Sequence, residues 1–236
     1  MRVLSIDTAT ESASCAVLED DKLLGEINFN FGKAHSVILM SMIDTLLTSI
    51  HVDISEIDGF ISSRGPGSFT GLRIGMATVK GLCFGSKKDF ISVSTLDSLA
   101  FNLAYSSGVV CPIMDALRGN VYTALYTFKG EELQRISEYM AIPIEELIKV
   151  LKEYEKVNFI GDGIIKFKEV LKNNISNTNF APVHLNAARA SSLGELGMKL
   201  LKSGMKEDIN TSTPIYLRKS QAEREYDKKM GLSKNE

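Results

Sequence analysis

The chain has 236 residues, 44% of them hydrophobic and 24% charged, with a formal net charge of −2. That composition excludes wholesale disorder and leaves room for one large domain or two small ones. The slightly acidic balance argues against a protein that grips nucleic acid unaided, because neutralising phosphates needs a basic surface.

Val3–Asp7 is a short apolar run ending in a carboxylate, Thr8–Ser14 is small and polar, and Cys15–Leu18 is apolar again. Asp20-Asp21 marks a hairpin turn and Leu23–Phe31 alternates with period two, so the opening predicts a three-stranded meander. A helix over Ser36–Ile50, a strand over Asp58–Ser62, a helix over Phe69–Phe84, a strand over Phe90–Val93 and a helix over Thr95–Tyr105 follow. The pattern then restarts. Val3–Asp7 aligns with Cys111–Asp115 at an offset of 108, and Cys15-Ala16-Val17 faces Thr123-Ala124-Leu125 at the same offset. Gly59-Phe60-Ile61 and Asn158-Phe159-Ile160 look like a further matching pair. A duplicated α/β lobe is the expectation, divided as residues 1–105 and 106–218. The second lobe continues with a strand over Glu131–Tyr139, a helix over Glu145–Leu151, a strand over Val157–Ile160, and helices over Ile165–Leu171 and Arg189–Ser203. Pro214–Arg218 is a late apolar patch, and 219–236 reads as a polar tail.

Cys15, Cys83 and Cys111 are far apart in apolar runs, which suits buried thiols in a reducing compartment. No signal peptide pattern opens the chain, and no stretch nears the ~20 apolar residues of a bilayer span. A cytoplasmic protein with no membrane attachment is expected.

The most informative stretch runs from Arg64 to Gly75: Arg-Gly-Pro-Gly-Ser-Phe-Thr-Gly-Leu-Arg-Ile-Gly. Pro66 fixes one φ between two permissive glycines, and Ser68 is placed as an N-cap. The helix beyond holds Gly71, Gly75 and Gly81, each costing about 1 kcal/mol relative to Ala. Something tertiary or intermolecular must offset that cost. Gly71, Gly75, Thr78 and Leu82 share a face that a neighbouring helix could approach closely. Arg73, Met76, Lys80 and Cys83 form a narrow seam that suits a partner helix. In the preceding helix, apolar residues from Leu39 to Ile50 span about 160°, and Ile38 extends the arc. A stripe somewhat over 100° covers one core, so the excess implies a second burial surface.

Two strand–Asp–turn–strand units suggest the actin, sugar-kinase and Hsp70 architecture, in which polar turns hold nucleotide phosphates. The first turn, Asp7-Thr8-Ala9-Thr10-Glu11-Ser12, has no Gly and carries a glutamate; the second keeps Gly119 and Arg118 beside Asp115. Candidate nucleotide contacts are Asp7, Thr8, Thr10, Gly67, Ser68, Asp115 and Arg118, with tight-turn roles as the alternative. No P-loop lysine follows the glycines, no nucleophile elbow exists, and the three histidines, His35, His51 and His184, make no metal-ligand pair.

Ile6-Asp7-Thr8-Ala9-Thr10, His35 opening a helix, Gly65–Gly75, Ser92–Leu96, Met114–Tyr122 and Pro214–Arg218 together resemble the TsaB (YeaZ) family, from residue 3 to about 218. The resemblance implies the two-lobed actin/Hsp70/sugar-kinase-like (ASKHA) fold. It implies a non-catalytic bacterial subunit for forming N6-threonylcarbamoyladenosine at tRNA position 37. The paralogue TsaD performs the transfer and carries a His-x-x-x-His metal pair; here Leu39 stands four residues after His35. It implies pairing with a TsaD-like subunit, or self-association as a homodimer, through first-lobe helices, with a TsaE-like ATPase and tRNA as further partners of the complex. The expected partner-facing set is Ile38, Met42, Thr45, Arg73, Met76 and Lys80. No metal or resident cofactor is expected, with ATP or ADP placed only at the joint of the complex. The competing expectation is a nucleotide-hydrolysing or phosphoryl-transferring enzyme of the same fold.

Overall fold

The computed structural model describes residues 1–30 and 35–219, together with 223, 226, 229 and 230. Phe31, the expected end of the third strand, and most of the 219–236 tail lie outside the described residues.

Antiparallel strands β1 (Arg2–Asp7), β2 (Ser12–Glu19) and β3 (Lys22–Asn30) form the expected meander. Helix α1 (His35–Ser49) leads to β4 (Gly59–Ser63), α2 (Phe69–Ser86) to β5 (Asp89–Val93), and α3 (Thr95–Phe101) to the second lobe. The first sheet has the order β3-β2-β1-β4-β5. The second comprises β6 (Val109–Asp115), β7 (Asn120–Thr123), β10 (Met140–Pro143), β11 (Val157–Ile160) and β12 (Thr178–Phe180), with helices α4 (Ile144–Leu151) and α5 (Gly163–Asn174). Its order, β10-β7-β6-β11-β12, repeats the first with β8 (Tyr126–Lys129) and β9 (Glu132–Arg135) as an added hairpin. Of the stretch 131–139, expected as one strand, only β9 is a strand; the chain then leaves the sheet, with the Ser137 hydroxyl accepting from the Leu125 amide, and β10 starts at Met140. The duplicated fold is present.

The register corrects the offset. Leu4 and Ile6 face α1 and α2 in one core cluster; Cys111 and Ile113 face α4 and α5 in its counterpart. Phe60 pairs with Leu4, and Phe159 pairs with Cys111. The first strands therefore match at an offset of 107, while Cys15 and Thr123, paired with Ile6 and Ile113, match at 108. A one-residue slip moves every side chain to the other face of a sheet. Thr8, not Asp7, is thus the counterpart of Asp115.

The lobes also exchange helices. Helix α3 packs Leu96, Leu99 and Ala100 onto Val110, Met114 and Ile160 of the second sheet. Helix α6 (Ala190–Lys202) returns to cover the first sheet, with Leu193, Met198 and Leu201 against Val3, Leu18, Ile61 and Ile91. Gly194 and Gly197 allow that approach, since a Cβ would stand 2.4 Å from Leu18 and 2.6 Å from Ile61. The expected division at 105 and 218 follows the chain, whereas the packing assigns α3 to the second sheet and α6 to the first. Glu26 of β3 holds the start of α6. Its carboxylate accepts from the Arg189 guanidinium (2.5 and 3.1 Å) and from the Ser191 amide (2.9 Å) and hydroxyl (2.7 Å). All three cysteines are buried free thiols, and burial pushes each up to about 12. Among the described residues no helix is long and apolar enough to cross a membrane.

Candidate functional site

The Gly-Pro-Gly-Ser loop enters α2 as its sequence dictates. Gly65 takes φ +98°, the Gly65–Pro66 bond is cis, and the Ser68 hydroxyl caps the helix by accepting from the Gly71 amide at 3.2 Å. The helix glycines meet the first polar turn, not another helix. A Cβ on Gly67 would stand 2.2 Å from the Ala9 carbonyl oxygen. On Gly71 it would stand 2.0 Å from the Thr8 carbonyl oxygen, and on Gly75 2.3 Å from Thr8 Oγ1. The Thr8 hydroxyl donates to the Gly71 carbonyl (2.8 Å), and the Ser68 amide donates to that of Ala9 (2.7 Å). These three glycines let the turn and helix α2 lock together. Gly81 and Gly85 differ: a Cβ on either would meet nothing within 4 Å.

A cleft of about 440 Å³ separates this turn from the second lobe. It brings together Thr10, Gly67, Ser68 and Asp115 of the expected nucleotide set. Asp7 and Thr8 lie behind it, fully buried, and Arg118 is exposed on its own turn at φ +54° without lining the cleft. Asp7 Oδ1 accepts from the Ala9 amide at 2.9 Å, while Oδ2 is buried with no hydrogen bond among the described residues. Burial raises this carboxyl to about 6, opposed by the Ala9 amide, Ser63 and the His35 charge. Thr10 Oγ1 accepts from the Ser12 amide. Asp7 and Thr10 thus bond amides within the turn, while Thr8 ties it to α2.

Residues outside the expected nucleotide set complete the cleft: Glu11, which the sequence already marked in the first turn, and Asp162, Tyr216 and Arg218, whose place there it did not. Asp162 Oδ1 accepts from the Asp115 amide at 3.0 Å. Its carboxyl is raised, first by burial and further by the nearby charges of Asp115 and Glu11, against the Asp115 amide. Lys166 pairs with Asp115 at 3.2 Å. The three carboxylates Glu11, Asp115 and Asp162 share the cleft with the cations Arg218 and Lys219. The Pro-Ile-Tyr-Leu-Arg run was the available signal for Tyr216 and Arg218, but its place depends on how the chain returns after α6.

The helix pair is the second candidate. Of the expected partner-facing set, Met42 and Met76 are buried, 3% and 4% exposed, and Met42 packs in the first-lobe core. Ile38 is half-buried against the first-lobe core. Thr45 is exposed. Arg73 stacks on Phe69 at 4.0 Å and donates to the Tyr216 hydroxyl at 3.0 Å; Lys80 donates to the Ser212 carbonyl at 2.6 Å. The Arg73–Lys80 seam is therefore taken by the chain's own C-terminal segment. What α1 and α2 leave uncovered is another set: Val37 (76%), Met40 and Phe84 (80%), with Gly81 and Gly85 opening outward. Both helices return antiparallel to the parallel strands β3, β1 and β4, so they run side by side. Val37 and Phe84 mark opposite ends of a face about 20 Å long at 1.5 Å per residue.

A family model described as TsaD, tRNA N6-adenosine threonylcarbamoyltransferase, matches residues 30–226. The tRNA threonylcarbamoyladenosine biosynthesis protein TsaB of Bacillus subtilis (strain 168) is 30% identical over 225 residues, covering 94% of this chain and 96% of that protein. YeaZ from Pseudomonas aeruginosa has the same fold, with a TM-score of 0.78 at 24% identity over 92% of this chain and 99% of that one. The activator of the 2-hydroxyisocaproyl-CoA dehydratase from Clostridium difficile, solved with bound ADPNP, is a more distant fold relative. Its TM-score is 0.51 at 8% identity over 88% of this chain and 99% of its own. The repeated strand order, the exchanged helices and these relatives make the architecture actin/Hsp70-like, and the near-full-length identity makes the chain a member of the TsaB (YeaZ) family.

Proposed function

We propose that this chain acts in forming N6-threonylcarbamoyladenosine at tRNA position 37, as the non-catalytic subunit that binds and activates a TsaD-like transferase. The observation that carries the reading is the outer face of α1 and α2. Val37, Met40 and Phe84 stand exposed there, and Gly81 and Gly85 leave open space that none of the described residues uses. Gly81, exposed in the helix interior, costs about 1 kcal/mol in the free chain, and a partner helix that needs the bare backbone there and at Gly85 in the last turn offsets that cost on docking. The same face serves a homodimer when the transferase is absent. A TsaE-like ATPase and tRNA join through the complex. ATP or ADP is held only where the joint completes a site, because the first polar turn is packed against α2 and leaves no glycine amides free to approach a phosphate. Activation requires contacts that differ between the transferase's conformations.

The test is co-purification with the transferase after Met40→Asp and Phe84→Asp together. Both side chains are solvent-facing, so the isolated chain keeps its fold, while pairing and modified-nucleoside yield are lost. Undiminished pairing by the double variant rules this face out. The nucleotide-hydrolysing alternative expects the isolated chain to bind ATP in calorimetry, and binding with turnover would replace the present reading.

A further inference from the structure

After α6, which covers the first sheet, the chain continues to that sheet's edge, where the Glu207 amide donates to the Phe90 carbonyl at 2.8 Å. The Glu207 carboxylate accepts from the Ser92 amide (3.2 Å) and hydroxyl (2.8 Å), and from the Ser212 hydroxyl at 2.5 Å. Ile209 inserts beside the first-lobe core. The segment then runs along α2, where Lys80 holds the Ser212 carbonyl at 2.6 Å. Next the Ile215 amide donates to the Arg64 carbonyl at 2.7 Å, directly under the Gly65 bend, where a Cβ would collide with the Ile215 oxygen. Tyr216 lies 4.7 Å from the Phe69 ring and accepts from Arg73. Finally the Arg218 guanidinium donates to the Ala116 carbonyl at 2.5 Å, on the β6–β7 turn of the other lobe.

We propose that residues 207–218 are a clasp that couples helix α2 to the second lobe across the cleft, so that loosening either end loosens the other. Three features carry this. The contacts are sequential along one short segment. They engage β5, α2 and the β6–β7 turn in that order. The last two contacts, Tyr216 on Arg73 and Arg218 on Ala116, belong to different lobes. A charged group donates in each, and charge-assisted bonds are the stronger class. The turn at the far end holds Leu117 and Arg118 at positive φ, so its conformation needs external support. The clasp gives the partner-facing helix a route to sense the lobe arrangement; that consequence rests on the docking reading above, but the clasp itself does not.

Hydrogen exchange on the isolated full-length chain tests it, without any partner. Arg218→Ala removes the far end only. The clasp expects amide exchange to rise about tenfold both at the β6–β7 turn, residues 115–120, and at the start of α2, residues 69–76, as loss of a charge-assisted bond would give. Arg73→Gln, cut at the near end, must raise exchange at 115–120 by a similar factor, because coupling is reciprocal; it also serves if the Arg218 variant does not fold. Effects confined to the cut end in either variant overturn the clasp, as does no change at all. Failure here with pairing still lost in the Met40/Phe84 double variant would sink the clasp and leave the docking face standing; the converse result would do the opposite.

Discussion

Gly75→Ala and Gly81→Ala are the same chemical change less than two turns apart on α2, and they should move stability in opposite directions. Each gains about 1 kcal/mol of helix propensity. At Gly81 the new methyl meets nothing within 4 Å, so the gain is kept and the chain becomes up to about 1 kcal/mol more stable. At Gly75 the methyl would stand 2.3 Å from Thr8 Oγ1. Thr8 is fully buried, and its hydroxyl is committed to the Gly71 carbonyl at 2.8 Å. Swinging it away forfeits that bond, about 1 kcal/mol, and the overpacking costs about 1–3 kcal/mol. Net of propensity, Gly75→Ala loses about 1–3 kcal/mol, and the two variants differ by about 2–4 kcal/mol. Urea midpoints at constant m-value measure this directly. Gly75→Ala as stable as the parent, or Gly81→Ala less stable than it, would refute the claim that Gly75 exists for the Thr8 turn and Gly81 does not. If the proposed face is correct, Gly81→Ala pairs more weakly with the transferase while being more stable alone, a trade that stability measurements cannot see by themselves.

Asp7 gives a pH prediction with a definite sign. Its folded carboxyl, raised by burial from 3.8 to about 6, holds its proton more tightly than the unfolded chain does. Its contribution therefore lowers stability as pH rises from 3.8 to about 6 and is level above that. At about 1.4 kcal/mol per pH unit this amounts to about 3 kcal/mol. Asp7→Asn, which keeps the acceptor for the Ala9 amide, should stabilise the chain by about 2 kcal/mol at pH 7.5 and flatten the dependence between pH 4 and 6, read by denaturation at a series of pH values. Glu26→Ala removes the carboxylate that gathers Arg189 and the start of α6. It strips a part-buried guanidinium of its partner and should cost about 3 kcal/mol in the same assay. A loss under 1 kcal/mol would show that packing alone seats α6.

Much of the fold was legible because its signals are local. Period-two and period-3.6 patterning placed β1 to β5 and α1 and α2 within a few residues, and the repeated strand–turn–strand unit exposed the duplication. Ser68 as a cap needed only its own neighbours. The long strand expected over Glu131–Tyr139 failed because a hairpin edge carries no strong alternation to mark its break. The offset of 108 failed by one residue in the first strand, because two buried strands are apolar on both faces and only packing tells the faces apart.

The sequence by itself determined that two lobes would form, that α2 would begin at Ser68, and that its glycines demanded a tertiary reason. Only the tertiary structure decided which reason applied to each: Gly71 and Gly75 answer to the Thr8 turn, whereas Gly81 and Gly85 open to the outside. The same holds for the seam of Arg73, Met76 and Lys80. Helical spacing groups those residues correctly. It cannot tell a surface kept for another subunit from one taken by residues 212–216 of the same chain, because that contact joins positions more than 130 apart in sequence.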